Sequence, residues 1–213
     1  MNDDRKLKIP DHWLSIAKRI NAISQTGLSF TSDEHDRERY TELLDLSIQI
    51  LEHITEIENE KLQFVFNREK GYQTPKIAVR AVIFNDDKIL MVKEKTDNKW
   101  AIPGGYAENG LSPSEIVVKE VKEESGFDVK PLRILGLIDY NKHQKKPFPF
   151  DVYQLFMECE IIGGKPIAGN ETSEVGFFSM EQLPELSARR VTREQMFKMD
   201  ELRRNKNLIP IFD

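Results

Sequence analysis

The spacing of apolar residues changes once along this chain, at Gly71-Tyr72-Gln73-Thr74-Pro75, and that change limits the folds open to it. Before it, apolar side chains recur at helical intervals. Trp13, Leu14, Ile16, Ile20 and Ile23 mark a helix over 11–24 that Gly27 should end. Thr31-Ser32-Asp33-Glu34 has the form of a capping box and opens a second helix. Its stripe is Leu43, Leu44, Ser47, Ile48, Leu51 and Ile54, widened by Leu46 and Ile50, and a short third helix follows over 57–69. After the connector, residues 76–85 are β-branched and aromatic, Asp86-Asp87 turns the chain and 88–94 returns. Trp100-Ala101-Ile102 reads as a short strand, 113–124 as a helix, and 131–139, 150–162 and 175–179 as strands. Thr192-Arg193-Glu194-Gln195 caps a last helix that runs to 204. Helices alone, then helices mixed with strands, predict a small helical domain over 1–70 and an α/β domain over 71–213.

Composition narrows the function classes. With 39% apolar and 31% charged residues in 213, the chain reads as soluble and globular. No apolar run approaches the ~18 residues that span a bilayer. Met1-Asn2-Asp3-Asp4-Arg5-Lys6 lacks the apolar segment of a signal peptide. Cys159 is the single cysteine, so no internal disulfide forms, and a reducing, cytoplasmic setting is expected. In the 150–162 strand it shares a face with Tyr153, Leu155, Met157 and Ile161, which makes it a small buried residue and not a nucleophile. A net charge of -5 argues against a general nucleic-acid binder. Residues 33–60 hold ten acids and two bases, and 189–206 hold seven bases and three acids; each reads as a solvated helix face. The apolar surface on two sides of the second helix predicts a helical hairpin that helps form a homodimer. Packing on the protein's own core is the other reading.

The chemistry concentrates in one loop and helix, Gly104-Gly105-Tyr106-Ala107-Glu108-Asn109-Gly110-Leu111-Ser112-Pro113-Ser114-Glu115 and onward to Gly126-Phe127. Two glycines let the backbone turn tightly and approach a ligand. Ser112 suits the N-cap, Pro113 the first helical position and Glu115 the third position of a capping box. Gly126 suits the left-handed position that ends a helix. Between them Glu120, Glu123 and Glu124 stand at i, i+3 and i+4, on one face. Their charges repel, and the macrodipole disfavours acids at a helix C-terminus. A hard divalent cation relieves both costs, and carboxylates with a backbone carbonyl suit Mg²⁺ or Mn²⁺. A solvated acidic face is the plain alternative.

This segment resembles the Nudix box, written G-x5-E-x7-R-E-U-x-E-E-x-G-U with U a bulky aliphatic. Gly105, Glu120, Val121, Glu123, Glu124 and Gly126 match in register and Phe127 nearly so. Leu111 stands in place of the first Glu and Lys119 in place of the Arg, two residues that pair in the family; Glu115 is a candidate substitute partner for Lys119. Gln25-Thr26-Gly27-Leu28, Phe30 to Tyr40 and Gly71 to Lys76 are similar to a Nudix subgroup with an added N-terminal helical domain. That subgroup includes CDP-choline and ADP-ribose pyrophosphatases.

The resemblance implies a Nudix fold, a mixed sheet sandwiched between helices, preceded by the helical domain. It implies metal-dependent hydrolysis of the diphosphate bond in a nucleoside diphosphate linked to another group, CDP-choline or ADP-ribose, with release of a nucleoside monophosphate. Glu120 and Glu124 are then the main metal ligands, Glu123 a third and the Gly105 carbonyl a fourth. The general base comes from the box or from Glu171 or Glu174, placed in a loop before the 175–179 strand. Arg80, Gly104 and Tyr106 are candidates for substrate contact, and the basic loop Asn141 to Pro147 either closes over an anion or is solvated. A ligand sensor that has lost catalysis is the alternative function; a DNA-binding form would need a basic recognition helix.

Overall fold

Strand β1 (Lys76–Asn85) is buried on both faces from Ala78 to Ile83, so it needs cover on two sides. Helix α4 (Pro113–Ser125) supplies one layer: its Ile116, Val117 and Val121 pack with Val79, Ala81, Ile83 and Leu90. Helix α5 (Arg193–Arg204) supplies the other, with Met196, Met199 and Leu202 against Val82, Ile89 and Phe156. The mixed sheet lies between them. Beyond β1 it holds β2 (Lys88–Glu94), β3 (Trp100–Ala101), β4 (Phe127–Asp139), β5 (Val152–Gly164), β6 (Thr172–Ser179) and β7 (Ile211–Phe212). The order is β3-β2-β1-β5-β4-β7, with β6 on β2. β1 and β5 run parallel from Lys76↔Val152 to Ile83↔Cys159, and β4 and β5 antiparallel. Cys159 is buried, as its place in the alternation predicts, and burial pushes its thiol up to about 12.

The computed structural model describes residues 11–55, 57–66, 71–144 and 148–213. They divide into two compact units, 1–75 with 146–151, and 76–145 with 152–213. In the first, α1 (Asp11–Phe30), α2 (Glu34–Thr55) and α3 (Asn59–Phe66) enclose Leu14, Ala17, Ile48, Leu51, Leu62 and Phe66. Phe150 belongs here, its ring 4.8 Å from that of Phe66, and Asp151 pairs with Lys18. That is why β5 starts at Val152 and not at 150.

Several boundaries move for physical reasons. α1 continues through Gly27, because the missing Cβ there makes room for the Tyr40 ring. Its buried face is Leu14, Ala17, Asn21, Ser24 and Gln25, while Trp13, Ile16 and Ile23 are exposed. α2 is capped by Asp33, whose Oδ1 accepts from Asp36 N at 2.9 Å, and not by a Thr31–Glu34 box. β4 begins at Phe127, since pairing with β5 reaches Gly164. β6 begins at Thr172, which puts Glu174 inside the strand. The two-residue β7 carries too short a pattern to be read in advance. Residues 67–69 of the expected third helix, the Met1–Lys6 segment and Lys145–Pro147 lie outside the described residues.

Candidate active site

The site begins with the cap of α4. Ser112 Oγ accepts from Glu115 N and Glu115 Oε2 accepts from Ser112 N at 2.8 Å, so the capping box forms. At the other end Gly126 takes φ +78° and its N–H donates to Lys122 O at 3.0 Å. Burying Ile116, Val117 and Val121 fixes the rotation of the helix, and with it which glutamates turn inward. Glu124 is 7% exposed, Glu120 is half-buried and Glu123 faces solvent.

The loop after β3 lies along β1 like an extra strand. Ala81 N donates to Pro103 O, Val79 N to Gly105 O and Ala107 N to Ile77 O, each at 2.8 Å. Gly104 holds φ +146°, and a Cβ there would stand 2.1 Å from Val79 O, so no other residue fits. A Cβ on Gly105 would fall 2.5 Å from Glu120 Oε1; its absence lets that carboxylate meet the backbone. Gly104 N donates to Glu124 Oε2 at 2.8 Å, which ties helix to loop. The backbone of α4 is tied from the other side: Thr172 Oγ1 donates to Glu124 O at 2.7 Å and accepts from Gly169 N at 2.8 Å.

Arg80 closes the group from β1. It is 8% exposed, its Nη1 donates to Gly104 O, and its buried Nε has no partner. Burial lowers its pKa, against the pull of Glu124. Burial also pushes Glu124 up to about 8, opposed by the Gly104 N–H and by Arg80 and reinforced by Glu94 and Glu120. Glu120 is raised by burial and by the charge of Glu123. Tyr106, the next residue along the loop, bridges to Ala78 and is half-exposed. It bears electrostatically on Arg80 and on the buried Tyr140.

Thus Arg80, Gly104, Gly105, Tyr106, Glu120 and Glu124 come together. Glu123 points outward, 4.0 Å from Lys119. Among the described residues no three Asp, Glu, His or Cys side chains are already gathered as a metal cluster. The donor set nevertheless fits a hard cation: it is all oxygen, and its acids crowd one another at a buried position. Gly105 O already accepts from Val79 N but keeps a second lone pair. Glu174 bonds to Lys93 across the β2–β6 ladder at 2.7 Å. Glu171 is exposed, its carbonyl takes the Lys95 N–H at 3.0 Å, and its charge reaches Glu94.

Lys119 bonds to Glu108, not to Glu115, which is held by Ser112. The ion pair that the box departures remove is therefore rebuilt from a loop residue three places earlier. Glu94, Arg190, Glu108 and Tyr140 escaped the sequence reading because each is brought to the site by tertiary packing alone. The basic segment 189–206 is largely neutralised. Arg190 pairs with Glu94, Arg203 with Asp87 and Asp200, Arg204 with Asp200 and Lys198 with Glu201.

Comparison with known proteins bears directly on this geometry. Residues 74–199 match the NUDIX domain. The chain belongs to the Nudix hydrolase family. Residues 11–66 match the "UDP-X-like, N-terminal oligomerisation domain". A Bacillus subtilis (strain 168) protein provisionally named an ADP-ribose pyrophosphatase is 42% identical over 207 residues, covering 97% of this chain and 100% of that one. An ADP-ribose pyrophosphatase of Methanocaldococcus jannaschii is 35% identical over 119 residues, 54% of this chain and 69% of that one. The crystal structure of a UDP-X diphosphatase superposes with a TM-score of 0.63 at 33% identity, covering 95% of this chain and 98% of that one. This Nudix hydrolase thus carries its box on α4 and the preceding loop, behind an N-terminal helical region of a recognised type. Among its described residues no helix is long and apolar enough to cross a membrane.

Proposed function

We propose that this Nudix hydrolase cleaves the diphosphate bond of a nucleoside diphosphate linked to another group, with Mg²⁺ or Mn²⁺ as cofactor. ADP-ribose stands first among its substrates; CDP-choline and uridine diphosphate derivatives are the other members of the class. The observation that carries this reading is the pairing of Glu120 and Glu124 against the Gly104–Gly105 backbone, beside a buried arginine with a free N–H. The Bacillus subtilis relative, which covers 97% of the chain and is provisionally named for ADP-ribose, favours that substrate.

Glu120 and Glu124 are the main metal ligands, with the Gly105 carbonyl as a further oxygen; Glu123, which faces solvent beside Lys119, joins the set only by turning its side chain inward. A divalent ion held there neutralises diphosphate oxygens and lowers the pKa of the attacking water. Arg80 contributes a guanidinium N–H to a diphosphate oxygen, Gly104 shapes the backbone that the substrate meets, and Tyr106 lies against the nucleoside or its leaving group. Glu171 receives the proton of the water; Glu174, bonded to Lys93, is the weaker candidate. The water oxygen forms a bond to one phosphorus while the bridging P–O bond breaks. The products are a nucleoside monophosphate and the phosphate of the other group. The helical region joins two copies into a homodimer: Trp13, Ile16, Ile23, Leu43 and Leu46 expose large apolar area on α1 and α2. The lone buried thiol suits a reducing cytoplasm.

The test is a panel of ADP-ribose, CDP-choline, a UDP-sugar and nucleoside triphosphates with Mg²⁺ or Mn²⁺, read by the products formed. Nucleoside monophosphate from a diphosphate-linked compound is the expected result. Cleavage of triphosphates alone would overturn the substrate class.

A further inference from the structure

One buried acid at this site has no place in the reaction just described. Glu94 ends β2, is 2% exposed, and bears electrostatically on Glu124, Arg80 and Glu171. A buried carboxylate beside an anionic diphosphate opposes binding, so its presence requires a compensating role. Its partners supply one. Glu94 Oε1 lies 2.8 Å from Arg190 Nε. That guanidinium is engaged at every nitrogen: Nη1 donates to Ser187 Oγ at 3.1 Å and Nη2 to Thr96 Oγ1 at 3.2 Å.

The frame behind it is rigid. Ser187 is fully buried, donates to Asp97 Oδ2 at 2.7 Å and has its N–H on Trp100 O at 2.7 Å. The Arg190 carbonyl accepts from Gln154 at 2.9 Å. The turn that carries Asp97 is closed by Glu94 N on Lys99 O and Asn98 N on Glu94 O. Charges therefore alternate from Glu124 through Arg80, Glu94 and Arg190 to Asp97. Arg190 is held at three nitrogens, whereas Arg80 is held through Nη1 on Gly104 O and keeps a buried Nε without a partner.

We propose that Glu94, anchored on Arg190, is a positioning residue that aims the Arg80 guanidinium at the substrate's diphosphate. The proposal rests on the assignment of Arg80 to that diphosphate. It identifies the loop after β6, far along the chain, as the support of the anion site.

The experiment is a double-mutant cycle on the full-length protein between Arg80→Lys and Glu94→Gln, with kcat and KM measured separately and folding checked by thermal melting. Glutamine keeps the size of Glu94 and an acceptor for Arg190 while removing its charge. Glu94→Gln is expected to lower kcat by roughly 10²-fold, the scale of a small misplacement of a catalytic group. The double variant should be within threefold of the worse single one. Arg190→Lys, which loosens the anchor, should likewise shrink the effect of Arg80→Lys. Penalties that multiply in both cycles would overturn the proposal, as would wild-type kcat in Glu94→Gln. Should the wild-type protein cleave nothing, the proposed function fails on its own. The same cycle is then read on binding of inorganic pyrophosphate with Mg²⁺: equal effects of Arg80→Lys with and without Glu94 refute the positioning role.

Discussion

Glu124 bears two opposed demands, burial against the sheet and a negative charge for a cation. In metal-free protein its carboxyl keeps its proton up to about pH 8, while the unfolded chain releases it near the ordinary glutamate value of 4.5. Between those values the folded state binds more protons than the unfolded one, so stability falls as pH rises through that window. Below it the contribution is fully present. Thermal midpoints in chelator should therefore drop from pH 5 to 8.5, and drop less in Glu124→Gln. Saturating Mg²⁺ should restore more stability at pH 8.5 than at pH 5, because it favours the ionised form. A chelated midpoint that rises over this range in the wild type, with no difference in the variant, would show that Glu124 is not held protonated. Legibility at this scale was uneven. The i, i+3, i+4 spacing announces three acids on one face, but it does not tell which two turn inward. That is set by the burial of Ile116, Val117 and Val121 beneath the same helix.

At the scale of elements, α4 and the loop before it act as one piece, joined by Gly104 N on Glu124 and by Glu108 on Lys119. Both departures from the box were visible in the sequence, and so was the need for a substitute partner. The partner itself was misjudged: Glu115, one turn from Lys119, is held by the N-cap, and Glu108 reaches across the loop. Local spacing favours helical neighbours, and only the folded loop brings Glu108 close. Charge reversal at one end, Glu108→Lys, should lower kcat/KM several-fold with little change in melting, because the pair is exposed. Adding Lys119→Glu should recover part of the loss. Equal activity of all three proteins would remove the pair from the account. Strands β1 and β2 and helices α4 and α5 followed their periodicity and caps. β4 and β6 begin earlier than their apolar runs because strand pairing, which sequence spacing does not record, extends them. The surface glutamate Glu174 is in β6 for that reason.

On the scale of the whole molecule, the change in period announces two regions and suggests a boundary at 70/71, whereas the compact units divide after Pro75, so the connector goes with the helices. The return of residues 148–151 to the helical unit was not readable, since it depends on packing between Phe150 and Phe66. α1 buries a polar row, Asn21, Ser24 and Gln25, beside Leu14 and Ala17, and leaves Trp13, Ile16 and Ile23 exposed. The proposed homodimer would cover these exposed side chains. Light scattering should give twice the 24.8 kDa mass of the chain across dilution, and paired Ile16→Glu and Leu46→Glu substitutions should shift it toward the single-chain mass. A monomer at all concentrations would leave those residues without a role. The measurement that bears most directly on the molecule as an enzyme is turnover of ADP-ribose by wild type and Glu124→Gln, with Mg²⁺ or Mn²⁺ present or chelated. The expected result is release of AMP that needs the metal and is lost in the variant. Tight binding of ADP-ribose or another diphosphate-linked nucleoside with no cleavage under any condition would contradict it, and would mean that Leu111 and Lys119 mark a sensor.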